Sequence, residues 1–493
     1  MEKNDSGLRS DRAGLEVKSS SSSSVAIVLA AGASTRMKSP LSKLLHPILG
    51  RPMIHWSLEL VSHVAEKIVV VVGHQRAEVE ASVKEFLSKS SNKKLKLEFA
   101  LQEKPLGTAD AVRAGLKILK KENADSNIFI VGGDCVLLQA AHLKAFTELH
   151  LEAKALVSLM TAIVPPPSPY GRICRNAQGV AEKIVEVKEA TPAQLEIAEV
   201  NPGFYWVKKS ALEEALASIG NKANKTREFY LTDIVEMARM RGWLVQTYEI
   251  PRDDALGVNN QLELAEAASI LRNRINSHWM NDGVTMLDPM TTWIEPGVQL
   301  SAGVTLEPGV SLRGNSKLEK LVRVGAHSII DNTWIGEGSI IEAYCHLKDS
   351  KIGAGGTIGP YARTRPGTVL DEDVHLGNFV EVKKSHLQKG VKAGHLSYLG
   401  DADIGQSANV GAGTITCNYD GYGKHKTVIG KEVFVGSNSS LVAPVKIGDR
   451  AIIGAGSVIS ENVSADAIAL ERAKQNNIEK GAKRFREKRK RKG

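Results

Sequence analysis

The sequence predicts two folds in one chain. The first is an α/β domain with a Rossmann-like, mixed but mostly parallel sheet, and the second is a parallel β-helix of hexapeptide repeats. Two observations carry this. Aliphatic residues return at every sixth position toward the C-terminal end, at Ile429, Val435, Leu441, Ile447, Ile453 and Ile459. A six-residue period fits neither a helix nor an exposed strand and is the period of stacked β-helix coils. Over the first half, short apolar runs alternate with helix-like stretches, which is the pattern of strands joined by helical crossovers.

Taken in order, the 493 residues divide into five parts: a disordered tail over 1–24, an α/β domain over 25–259, a helical linker over 260–281, a β-helix over 282–470 and a basic tail over 471–493. Met1–Val17 is polar and charged and lacks the apolar stretch of a secretory signal. Ser19–Ser24 is an unbroken serine run and reads as a flexible tether. No apolar run approaches the roughly 20 residues needed to span a bilayer.

Three apolar runs mark the α/β domain: Val25–Leu29, Ile68–Val72 and Ile128–Val131. Helical patterns over Pro52–Glu66 and Thr108–Lys121 lie between them. Ligands of such sheets bind beyond the carboxyl ends of the strands. There the first run ends in Leu29-Ala30-Ala31-Gly32-Ala33-Ser34-Thr35-Arg36-Met37. Small residues let backbone N–H groups approach phosphate oxygens, and Arg36 and Lys43 add charge against a polyphosphate. The stretch is neither a Walker loop nor G-x-G-x-x-G. The third run ends at Asp134, a strand-end carboxylate suited to Mg²⁺, which takes one or two protein oxygens plus phosphates. Asp is also a favoured helix N-cap, so the cluster, not the single residue, points to nucleotide phosphate chemistry.

Leu262, Ala265, Ala268, Ile270 and Leu271 give the linker a partly helical pattern, punctuated by Asn273 and Asn276. Beyond it the six-residue beat runs through Ile294, Leu300, Leu306 and Leu312. It resumes at Ile352, Ile358, Leu370, Leu376 and Val382, with Thr364 as a polar stand-in, and again at Ile404 and Val410. The phase slips at Ser385–Leu399 and Thr416–Lys426, where inserted loops are expected to carry a binding surface. The cysteines Cys135, Cys174, Cys345 and Cys417 show no paired or metal-ligand spacing, which favours a reducing, cytoplasmic setting. Much of the net charge of +9 sits in Lys483–Gly493, a cluster of like charges expected to be a disordered, solubilising terminus.

These pieces join longer motifs. The first half carries L-A-A-G-A-S-T-R-M, S-K-L-L-H-P-I-L-G-R-P-M, L-G-T-A-D-A, V-G-G-D, Y-G-R-I, I-V-E-V-K-E-A, N-P-G-F-Y, E-F-Y-L-T-D and G-V-N-N. The second carries I-G-P-Y-A-R-T-R-P-G, G-N-F-V-E-V-K-K-S, K-A-G-H-L-S-Y-L-G-D-A-D-I-G and N-V-G-A-G-T-I-T-C-N-Y-D-G. Across roughly Val25–Arg472 the chain resembles the bifunctional bacterial family that makes UDP-N-acetylglucosamine. That family couples an N-acetylglucosamine-1-phosphate uridyltransferase to a glucosamine-1-phosphate acetyltransferase on a left-handed β-helix.

The resemblance implies roles for matching residues. Leu29, Ala30 and Gly32 would hold the nucleotide, with Gln102, Gly107 and Thr108 along the uracil. Arg36 and Lys43 would balance phosphate charge, and Asp134 and Asn259 would hold Mg²⁺. Gly171, Glu186 and Asn201 would contact the amino sugar. In the second half His395 would be the general base, since a histidine can take the amine proton near neutral pH, and Glu381 would be a candidate to orient it. Arg365, Lys383, Tyr398 and Asn418 match residues that bind the sugar phosphate, and Asn409 matches both that set and the next. Ala412, Tyr419, Ser437, Ala455 and Arg472 match acetyl-CoA positions. The resemblance further implies UTP and acetyl-CoA as co-substrates and a homotrimer with acetyl-CoA sites where subunits meet, with no specific nucleic acid and no membrane span. Ser34 departs from the family loop, which usually has Gly there. Three other functions compete: a monofunctional nucleotidyltransferase whose β-helix only assembles or regulates, an acetyltransferase with an inactive first half, and a non-enzymatic scaffold.

Overall fold

The computed structural model describes residues 24–32, 35–220, 225 and 227–490. The N-terminal tail and the Ser34 departure therefore lie outside the described residues. The chain separates into two compact units, Met1–Arg274 and Ile275–Gly493.

In the first unit β1 (Ser24–Ala30), β2 (Lys67–Val72), β3 (Lys96–Leu101) and β4 (Asn127–Gly132) run parallel in the order β3-β2-β1-β4. Their apolar runs are continuous because both faces are covered. Val69 and Val71 point into one core with Val112 and Leu116 of the helix Thr108–Ile118. Ile68, Val70 and Val72 point into the opposite core with Ile54 and Leu58 of the helix Met53–Val61. The remaining strands are β5 (Val157–Ile163), β6 (Gly171–Arg175), β7 (Ala181–Val185), β8 (Glu199–Asn201), β9 (Tyr205–Lys208) and β10 (Val245–Glu249). They extend the sheet beyond β4 as β9-β5-β8-β6-β7, with β10 parallel to β5 and the other pairings antiparallel. The parallel set β1–β4 brings its four carboxyl ends to one edge, where the loops after Ala30, Leu101 and Gly132 meet.

Gln261–Asn281 is one continuous helix, so Asn273 and Asn276 do not interrupt it. The second unit is a left-handed parallel β-helix of hexapeptide repeats with three sheets. They begin at Thr285–Met286, Trp293–Ile294 and Gln299–Leu300, and every strand pairs in parallel with the strand one coil on. A single column of aliphatic residues fills the interior from Ile294 to Ile459. Thr364 is fully inside this column, and its Oγ1 receives the Ser350 hydroxyl at 2.9 Å, which satisfies both polar groups away from water.

The phase slips have two different origins. At Ser385–Leu399 no loop is inserted. Val382 pairs with Leu399 and Leu387 with Ile404, so the coil is one residue short of three hexads. The missing residue is taken from the corners at Lys384 and Asp401, which turn tightly with φ of 45° and 49°. Asn332 and Asp349 make the same tight corner earlier, with φ of 45° and 44°, which is why the beat also falters there. The slip at Thr416–Lys426 is a true insertion: Val410 pairs with Val435, and the extra residues close on themselves through a bridge between Tyr419 and Lys424.

Along one corner of the coil His327, Tyr344, Tyr361 and Phe379 stack ring on ring, with centroids 5.3, 5.0 and 5.3 Å apart. Tyr344, Tyr361, Phe379 and Leu396 above them are all exposed. The charge of the C-terminal segment predicts disorder, yet Gly481–Lys490 is helical, with none of its residues buried. Its Ala, Lys, Arg and Glu are strong helix formers, and Lys483 stands 3.9 Å from Glu487 one turn on, so propensity outweighs charge repulsion there.

Candidate functional sites

The edge of the parallel strands assembles a compact charged cluster. Gly133 N donates to Leu29 O at 2.9 Å, which ties the loop after β4 to the end of β1. Asp134 then accepts a short hydrogen bond from the Lys43 ammonium. Lys43 Nζ also lies 3.1 Å from Asn259 Oδ1, and Arg36 Nη2 donates to the same oxygen at 2.8 Å. The four residues named from the sequence for phosphate and metal are thus brought together by three separate segments. The ammonium marks a point on which one carboxylate and one amide oxygen converge. Two hard oxygens fit Mg²⁺ that completes its shell with phosphates and water. Among the described residues no group of three or more His, Cys, Asp or Glu is placed to hold a metal ion. Burial and the adjacent Asp134 push the Cys135 thiol far up, so it stays protonated and inert.

At the β3 end Gln102 donates to Gly107 O at 3.1 Å and to Asp110 Oδ2 at 3.0 Å. Both hydrogen bonds use its side-chain amide nitrogen. Gly107 has φ of 119°, and a Cβ there would strike the Phe229 backbone. Phe229 N donates to Leu106 O at 2.8 Å and Leu231 N to Thr108 Oγ1 at 3.0 Å, so the E-F-Y-L-T-D segment clips onto L-G-T-A-D.

Glu186 accepts the Thr232 hydroxyl at 3.0 Å, and burial raises its carboxyl above the usual range. A Cβ on Gly171 would come 2.9 Å from Ile184 Cγ2 but stay in ordinary contact, 3.6 Å, with Glu186 Oε2, so the neighbouring strand rather than the carboxylate calls for glycine. Asn201 is occupied internally: its Nδ2 donates to the Tyr205 hydroxyl at 2.6 Å and its Oδ1 accepts Gly203 N at 3.1 Å.

In the β-helix, His395 ends the strand Lys392–His395 and is exposed. Its Nδ1 lies 2.7 Å from Asn378 Oδ1 on the preceding coil, where the two residues are register partners. A carbonyl oxygen only accepts, so Nδ1 carries a proton, and in the neutral ring the lone pair is then on Nε2. Glu381, the candidate to orient His395, does not do so. It accepts Arg365 Nη1 at 3.0 Å and stands 3.6 Å from Arg363, because its strand sits on the next sheet face. Asn378 escapes a reading of the sequence because the short coil puts it 17 residues back.

The strand Tyr398–Gly400 leads from the His395 corner to a cationic one. A side chain on Gly400 would collide with the Tyr398 ring, so the glycine seats the tyrosine. Lys383 has its ammonium held below the usual range by the adjacent Lys424, with Arg365 adding to it. Lys424 comes from the inserted loop, and one lysine among many carries no motif that would single it out. Asn418 Nδ2 donates to Asp401 Oδ2 at 2.5 Å, and Asp420 braces the loop by accepting Tyr422 N at 2.8 Å, Gly423 N at 2.7 Å and His425 at 2.7 Å. Two ammonium groups that crowd each other, with a guanidinium beside them, suit a phosphate dianion.

From the His395 corner a file of small residues rises through successive coils. Gly413 N donates to His395 O at 3.3 Å, Asn438 N to Ala412 O at 2.7 Å, and Gly456 N to Ser437 O at 2.8 Å. Arg472 Nη1 closes it on Ala455 O at 3.0 Å. Asn409 stands in the first sheet between Lys392 and Phe434, and Tyr419 is exposed on the loop with its hydroxyl on Gly421 O at 2.6 Å.

Comparison with known proteins gives two family matches. Residues 25–255 match the nucleotidyl transferase family. Residues 426–461 match the bacterial transferase hexapeptide family (six repeats). The chain is 41% identical over 456 residues to the "Bifunctional protein GlmU" of Geotalea uraniireducens, covering 92% of this chain and 97% of that one. It is 43% identical over 421 residues to the protein of that name in Anaeromyxobacter dehalogenans, covering 85% and 84%. It is 41% identical over 462 residues to that in Listeria welshimeri, covering 93% and 98%.

Proposed function

The chain belongs to the bifunctional GlmU family, and on that premise we propose that its two sites act in turn on one sugar phosphate. The β-helix transfers acetyl from acetyl-CoA to glucosamine-1-phosphate. The α/β unit then transfers uridyl from UTP to N-acetylglucosamine-1-phosphate, giving UDP-N-acetylglucosamine and pyrophosphate. The carrying observation is the His395–Asn378 pair, joined by the strand Tyr398–Gly400 to the corner of Arg365, Lys383 and Lys424, in a chain that also holds the Asp134 cluster.

In acetyl transfer the cations and Tyr398 hold the sugar phosphate. His395 Nε2 takes the proton of the amine as its nitrogen attacks the thioester carbonyl. Collapse of the tetrahedral intermediate breaks the C–S bond and releases coenzyme A, which takes up the proton. The file from Ala412 to Arg472 carries the acetyl-CoA arm. A β-helix serving only assembly would have no use for an exposed histidine locked into one tautomer.

In uridyl transfer a phosphate oxygen of the acetylated sugar attacks the α-phosphorus of UTP, and the bond to pyrophosphate breaks. No covalent protein intermediate is needed; positioning and charge neutralisation do the work. Leu29, Ala30 and Gly32 line the phosphates, and Gln102, Gly107 and Thr108 the uracil. Arg36 and Lys43 neutralise the developing charge, and Glu186, Gly171 and Asn201 border the sugar. Asp134 and Asn259 would hold Mg²⁺, which when bound supplies positive charge against the triphosphate.

The chain works as a homotrimer in this reading. The exposed column Tyr344, Tyr361, Phe379 and Leu396 supports it, since that much aligned apolar surface favours a partner. The co-substrates and the four free cysteines fit the cytoplasm. Among the described residues no helix is long and apolar enough to cross a membrane. One incubation tests the whole reading: pure protein with glucosamine-1-phosphate, acetyl-CoA, UTP and Mg²⁺, products identified by mass. UDP-N-acetylglucosamine is expected; UDP-glucosamine alone, or no nucleotide sugar, refutes the sequence of steps.

A further inference from the structure

The amide of Asn259 is held in one of its two flips by opposite neighbours. On one side Arg36 and Lys43, which only donate, point at Oδ1 from 2.8 and 3.1 Å. On the other side Glu263 only accepts. Its Oε2 receives both Asn259 Nδ2 at 3.1 Å and Asn259 N at 2.7 Å. Its Oε1 receives Asn260 Nδ2 at 2.7 Å, and its own N–H returns to Asn260 Oδ1 at 2.9 Å. Glu263 is half-buried in the first turn of the helix Gln261–Asn281, where the helix dipole favours a carboxylate. Both of its oxygens are engaged on the Asn259–Asn260 turn.

We propose that Glu263 is a positioning residue for uridyl transfer: it fixes the Asn259 amide so that oxygen, not the NH₂ group, faces the Asp134 site. This rests on the reading of Asp134 and Asn259 as the Mg²⁺ residues. A carbonyl oxygen attracts a divalent cation and an NH₂ group repels it, so a free flip would cost binding directly. Residues that orient a metal's ligands typically change affinity by about 10- to 100-fold when removed.

The test measures Mn²⁺ affinity of the full-length protein with UTP present, by electron paramagnetic resonance of free Mn²⁺, without turnover. Glu263→Ala is expected to weaken Mn²⁺ about 10- to 100-fold and to raise the Mg²⁺ demand of uridyl transfer equally. Glu263→Gln keeps a carbonyl acceptor for Asn259 and is expected to stay within about threefold, a small fraction of that loss. Acetyl transfer should be unchanged in both, reporting an intact fold. A lowered melting temperature in Glu263→Ala with unchanged Mn²⁺ affinity would reduce Glu263 to a helix cap and overturn the inference. Equal losses in Ala and Gln variants would overturn it too. Asp134→Ala separates the two levels. If it weakens Mn²⁺ while Glu263→Ala does not, only the positioning role falls; if it leaves Mn²⁺ untouched, the metal reading falls and the inference with it.

Discussion

His395 and Asn378 face each other across one coil of the β-helix, joined by a 2.7 Å hydrogen bond from ring nitrogen to amide oxygen. That bond fixes which imidazole nitrogen can act as a base. His395→Ala is expected to cut acetyl transfer by roughly 10²–10⁴-fold, the range of a lost general base. Asn378→Ala removes one neutral hydrogen bond, about 1 kcal/mol, and is expected to cut it about fivefold. Both leave uridyl transfer intact. Loss of both activities in either folded variant would mean that the two sites are not separate.

Lys424 sits beside Lys383 at the cationic corner and adds to the cost of charge on Lys383. A phosphate dianion relieves that cost on binding. Lys424→Ala is therefore expected to raise the KM for glucosamine-1-phosphate about tenfold, the size of one charge-assisted hydrogen bond. KM for acetyl-CoA should not change. Added salt should weaken sugar-phosphate binding less in the variant, since it has one charge fewer to screen. Equal shifts in both KM values would assign Lys424 to the thioester arm.

Asp233 has its carboxyl pushed up to about 6, by burial first and then by Glu236 and Glu186. Between the ordinary value of 3.8 and that point the folded state holds a proton that the unfolded chain has released. Stability from this group is therefore present at low pH and lost as pH rises through that window. Asp233→Asn stays neutral throughout. Relative to the parent, the variant should gain melting temperature on going from pH 4 to pH 7. A constant difference would show that the carboxyl titrates normally.

The six-residue beat is enough to give the β-helix, and the strand-end run with Arg36, Lys43 and Asp134 is enough to point to the charged edge. What the residues alone leave hidden depends on register. Asn378 becomes the partner of His395 only because the tight corner at Lys384 shortens the coil between them, and a strict hexad count points elsewhere. A count allowing a five-residue rung from Val382 to Leu387 finds it. Glu263 does leave a signal, since Asn260 followed by an acidic residue three positions on is a capping pattern at a helix start. Lys424 leaves none, because its role comes from a loop folding back beside Lys383.

The helix Gly481–Lys490 buries nothing, and its charges face water throughout. Arg472, nearer the coil, already supplies a guanidinium at the end of the file proposed for acetyl-CoA, through its bond to Ala455 O. A terminus without packed contacts contributes to binding only through long-range charge, which is screened within about 8 Å at physiological salt. Deleting Lys483–Gly493 is therefore expected to leave kcat of both reactions unchanged and KM for acetyl-CoA within about twofold at that ionic strength. The comparison is made on full-length and shortened proteins at low and physiological salt. A KM increase that persists at physiological salt would show that the helix touches coenzyme A phosphates directly, and the file from Ala412 to Arg472 would then extend into the tail.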